Sequence, residues 1–64
     1  MKPKELKRIR EELKMTQTQL AEAMGVTRGA VAHWEMGKRS IPLMAEKLLA
    51  FLRASKGVLR DTTN

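Results

Sequence analysis

A small all-α domain of four helices is what this sequence predicts, and three observations predict it. Apolar residues recur at spacings of three and four through most of the chain, the period of helices that bury one face. Between the periodic stretches stand residues that start or stop helices, namely Pro3, Thr16, Gly25, Thr27, Pro42 and Gly57. The chain has 64 residues, enough for one core, since a domain of this size buries only about 60% of the surface it exposes when unfolded.

The first helix is expected over Pro3 to Lys14, where Leu6, Ile9 and Leu13 share a face. Pro3 suits its first turn, in which a missing N–H loses no partner. In KMTQTQL the pattern stops and restarts, with Thr16 able to cap the next helix and Gln19 able to reach back in a capping box. The second helix then covers about Gln17 to Met24 and buries Leu20, Ala21 and Met24. Gly25 ends it, because the residue there usually takes positive φ, at which glycine has no Cβ to clash.

Thr27 offers a new N-cap, and the third helix runs about Arg28 to Met36. So short a connection forces the second and third helices to cross steeply, which makes the pair a helix-turn-helix. GKRSIP is a polar loop leading to a fourth helix from near Pro42 to about Ala54, with Ala45, Leu48, Leu49 and Leu52 as its apolar stripe and Gly57 ending it. Residues 1–57 are thus the domain, and 58–64 a short tail in which Val58 and Leu59 can pack.

Charge narrows the partners. Lysine and arginine total 13 against 7 acidic residues, a formal charge of +6 and a pI of about 10.4, which favours polyanions, nucleic acid first and an anionic membrane second. The chain has no cysteine, so neither a disulfide framework nor a thiolate zinc site is available. One histidine leaves no metal cluster or nucleophile pair, and the spacing of Gly25 and Gly29 is not that of a phosphate loop, so no enzyme and no cofactor is expected. No apolar run approaches the roughly 18 residues of a membrane span, and MKPKELKRIREELK lacks the apolar block of a signal peptide. The cytoplasm is the expected location.

On a wheel centred on Val31, Trp34 falls about 60° to one side and Glu35 about 40° to the other, while Gly29, Ala32, His33 and Met36 point away. The free face is small enough around Gly29 and Ala32 to lie deep in a major groove. Arg28, at the helix start, can reach the O6 and N7 acceptors of guanine, and His33, further along, can donate to a purine N7. Thr27 and Ala32 can meet thymine methyls or phosphate. Glu35 sits at the margin of the buried stripe and needs a cation there. Arg10, at the margin of the first helix's apolar face, is the best candidate for a bidentate pair, and a fully exposed Glu35 without a fixed partner is the alternative.

These residues resemble the lambda repressor and Cro family of helix-turn-helix regulators, the Xre family, over about Leu6 to Leu52. The resemblance rests on Gln17 opening the motif, small Ala21, Gly25 in the turn, Val31 and Trp34 inward, and EMGKRSIP closing it. It implies a regulator, usually a two-fold dimer on a pseudo-palindromic operator in double-stranded DNA. By position it implies base contacts from Thr27, Arg28, Gly29 and His33, phosphate contacts from Arg10, Gln17, Lys38, Arg39 and Ser40, and a structural pair of Arg10 with Glu35. The chain departs from the family at Met36, where relatives often carry a polar phosphate-contacting residue, and after Leu52, where there is little room for a fifth helix.

The expected mode of action is repression by operator occupancy, with control through expression level, proteolysis or a protein partner. A restriction-modification controller or a toxin-binding antitoxin would use the same motif. In a different class stands a small basic interaction module lying on anionic lipid, against which the first helix is mixed in sign through Glu5, Glu11 and Glu12. Phe51, just off the fourth helix's stripe, either anchors a subunit contact or packs in its own core.

Overall fold

The computed structural model describes the backbone of residues 1–63 and the side chains of residues 1–55. Within them are four helices and no strand: α1 (Pro3–Glu12), α2 (Gln17–Met24), α3 (Arg28–Glu35) and α4 (Leu43–Thr63). The all-α class therefore stands.

Each early boundary has a local cause. Pro3 begins α1, and the Glu5 carboxylate accepts a hydrogen bond from the Lys2 N–H at 3.3 Å. At α2 the capping box is complete: the Gln19 N–H donates to Thr16 Oγ1 at 3.1 Å and the Thr16 N–H donates to Gln19 Oε1 at 2.9 Å. At α3, Thr27 Oγ1 accepts from the Ala30 N–H at 3.1 Å. Such caps contribute about 1 kcal/mol each by satisfying helix-end donors.

The three helix exits share one geometry, in which a residue in the left-handed region lets two later N–H groups turn back onto the last carbonyls. After α2, Gly25 (φ 73°) donates to the Glu22 carbonyl and Val26 to that of Ala21. After α3, Gly37 (φ 77°) donates to Trp34 and Lys38 to His33. After α1 the same place is held by Lys14 (φ 57°), with Lys14 donating to Glu11 and Met15 to Arg10. This corrects two expected ends. The first helix stops at Glu12 rather than Lys14, because a lysine carries no sequence signal for the conformation it adopts there. The third stops at Glu35, with Met36 as its cap.

A side chain in that conformation costs about 1 kcal/mol, partly offset by the chain entropy that glycine would lose. Lys14→Gly is accordingly expected to stabilise the fold by about 0.5 kcal/mol and raise Tm by a few degrees. A calorimetric melt showing no gain would mean that Lys14 is held by contacts its backbone angle does not reveal.

The core consists of Leu6 and Ile9 from α1, Leu20, Ala21 and Met24 from α2, Val31 and Trp34 from α3, and Ala45 and Leu49 from α4. Leu13, Leu48 and Leu52 pack against it partly buried, as do Met15, Val26, Ala30 and Ile41, which lie outside the periodic pattern. α2 and α3 pack on each other and α1 packs on α3. The fourth helix does not stop at Gly57, as the sequence suggested, but runs to Thr63. Glycine inside a helix costs about 1 kcal/mol and does not by itself end one. The expected packing of Val58 and Leu59 falls outside the described side chains. Phe51 is 65% exposed, which removes it from the core.

Candidate nucleic-acid interface

The core decides which side of α3 is left for a partner. Val31 is fully buried and Trp34 nearly so, which turns Thr27, Arg28 and Gly29 outward as exposed residues and leaves Ala32 and His33 half-buried. Met36 continues this side at 59% exposure. Gly29 is informative. A Cβ added there would find only Thr27 Oγ1, at 3.9 Å, so no packing inside the protein requires a glycine. Alanine would suit the helix better by up to about 1 kcal/mol. Nothing inside the protein therefore accounts for a glycine at this exposed position.

Behind this face lies a polar network that joins three helices. Arg10 Nε donates to Glu35 Oε2 at 2.6 Å and Nη2 to Glu35 Oε1 at 3.1 Å, a bidentate pair in which the side chains are 13% and 6% exposed. Arg10 Nη1 donates to the Met15 carbonyl at 2.9 Å, and Gln17 Nε2 donates to Glu35 Oε1 at 3.1 Å. Burial pushes the Glu35 carboxyl up, but hydrogen bonds from Arg10 and Gln17 and the charges of Arg10 and Lys7 outweigh it, and its pKa lies below the ordinary carboxylate value. The carboxylate thus ties α1, the turn after it, the start of α2 and the end of α3 together, which fixes how α3 is presented.

Two expected phosphate contacts change character in this light. Every guanidinium nitrogen of Arg10 already donates inside the protein, so its geometry is that of a positioning residue rather than of a free cation. Gln17 gives one amide hydrogen to Glu35 and stays half-buried at the first position of α2, where the N–H groups of the helix start point outward. Neither the Met15 carbonyl nor the nearness of Lys7 to Glu35 is foreshadowed by periodicity or motif.

Lys38, Arg39 and Ser40 follow directly on the exit of α3 and are all exposed. Their place is set by the turn at Gly37, since the N–H groups of Lys38 and Arg39 both donate to the His33 carbonyl, at 2.9 and 3.4 Å. Two cations are thereby fixed beside the end of the outward face. Among the described residues no three or more His, Asp or Glu side chains gather as metal ligands would, and no helix is long and apolar enough to cross a membrane.

An outward helix start, a glycine unexplained from within and a cationic exit turn are what the helix-turn-helix leaves exposed. Comparison agrees with the geometry: the chain matches the helix-turn-helix family model of the Cro/C1 type over residues 6–57 and belongs to that family. It is a family of DNA-binding transcription regulators. No curated protein and no solved structure matches the chain.

Proposed function

We propose that this protein is a sequence-specific regulator that binds double-stranded DNA with α3 in the major groove and represses by occupying its operator. Thr27, Arg28, Gly29 and His33 read bases, while Gln17, Lys38, Arg39 and Ser40 hold phosphates. Arg10 is omitted from the phosphate set because its nitrogens are engaged with Glu35 and Met15. The observation that carries this reading is the outward face of α3, where a glycine that nothing in the protein crowds lies beside exposed Arg28. One such helix reads few base pairs, so useful specificity calls for two subunits on half-sites about one helical turn apart. Phe51 and Met44, 65% and 66% exposed on α4, offer an apolar surface for that contact.

The test is selection of bound duplexes from a random pool, performed with the unaltered protein and with Arg28→Ala. The variant is expected to lose preference at one base position and about 10- to 100-fold in affinity for the selected site, with non-specific affinity largely kept. Uniform weakening on all sequences would make Arg28 a phosphate contact. Failure to enrich any sequence would remove the sequence-specific reading altogether.

A further inference from the structure

The start of α1 lies against the exit of α3, and its charges have no assigned purpose. A Cβ at Gly37 would sit 3.7 Å from Pro3 Cγ, which shows how closely the two segments meet. Two clefts open there on either side of Pro3. One, of about 360 Å³, is bounded by Gly37, Arg39 and Ser40. The other, of about 460 Å³, is bounded by Lys2, Lys4 and Glu35. Lys7 stands one turn along α1 from Pro3 and Lys4, on the side whose charge is felt at Glu35.

Glu5 and Glu11 stand beside these lysines on α1 without an ion pair to them among the described residues, and the other nearby acids are engaged elsewhere. Glu35 is taken by Arg10 and Gln17, Glu46 is bound to the Met1 amine at 2.8 Å, and Glu12 is paired with Arg53 at 3.2 Å. Among the described residues no ion pair engages Lys4, Lys7, Lys38 or Arg39, and all four are exposed. Lys4 and Arg39 border the two clefts that share Pro3, with Lys7 one turn along α1 and Lys38 next to Arg39, so that a cationic rim lies beside the exit of α3.

We infer that Lys4 and Lys7 are a second phosphate anchor, gripping the DNA backbone beside the half-site and extending the footprint from the Lys38–Arg39 turn onto α1. This inference rests on the DNA-binding reading above. A rim of flexible ammonium groups suits phosphodiesters, which need charge but no fixed fork. It positions the protein without reading sequence.

The experiment measures affinity for a selected duplex as a function of salt, for the unaltered protein and the double variant Lys4→Gln/Lys7→Gln. Lys47→Gln serves as a control, since Lys47 is exposed on α4 and borders neither cleft. Removing two phosphate contacts is expected to make the log–log slope shallower by about 1.8 per subunit, leaving base preference unchanged, while the control keeps the original slope. A thermal melt of each variant verifies that it is folded. An unchanged slope in a double variant that still binds overturns the inference and leaves the DNA-binding reading intact. Absence of DNA binding by the unaltered protein overturns both. Loss of binding to phosphatidylglycerol vesicles with no change in the DNA slope would assign the rim to a lipid surface and likewise overturn it.

Discussion

Arg10→Ala is expected to lower stability by about 3 kcal/mol, because it leaves the Glu35 carboxylate, 6% exposed, without its cation. Domains have about 0.05–0.15 kcal/mol of stability per residue, about 3–10 kcal/mol for a chain this short, so that loss removes from about a third to nearly all of it. Urea titration measures it. Replacing both partners, Arg10→Met with Glu35→Leu, is expected to cost much less than Arg10→Ala, since an apolar pair of similar size leaves no stranded charge. A loss below about 1 kcal/mol in the single variant would show that the pair behaves like an exposed one.

The same pair sets an acid limit. The folded pKa of Glu35 lies below the ordinary value of 4.5, so the folded state favours the ionised form. The resulting stabilisation is complete above that ordinary value and is lost as pH falls through the depressed one. Urea midpoints between pH 7 and pH 3 should accordingly drop further for the unaltered protein than for Glu35→Gln, which cannot titrate there. Equal drops would place the acid sensitivity elsewhere.

DNA affinity is expected to fall about 150-fold per subunit between 50 and 200 mM salt, if about four phosphates are engaged and the log–log slope is about −3.6. For a two-fold pair the slope doubles and the loss is on the order of 10⁴-fold. The steepness follows from counterions released by cations such as Lys38 and Arg39, whose exposure lets them meet phosphate directly. Fluorescence anisotropy on a labelled duplex gives the slope. A flat salt profile would show that the protein does not hold the phosphate backbone.

Much of this was legible in the residues because the relevant forces act locally. Thr16 with Gln19 and Thr27 with Ala30 N–H are contacts across three residues, and Gly25 ends α2 through its own backbone angle. Val31 and Trp34 point inward because their spacing puts them on one side of a helix. Lys14 was not legible, since a lysine carries no sequence signal for a conformation usually left to glycine. Gly57 misled in the opposite direction, as a helix-ending residue that α4 passes through.

Sequence by itself determined the four helices, the nine core positions and the outward side of α3, since each follows from periodicity and caps within a few residues. Only the tertiary structure decided that Arg10, 25 residues from Glu35, donates from each of its three guanidinium nitrogens to that carboxylate or to Met15. It also decided that Phe51 lies on the surface and that the start of α1 meets the exit of α3. The reason is physical: helix period and caps are short-range, whereas an ion pair or a shared rim depends on where whole helices come to rest.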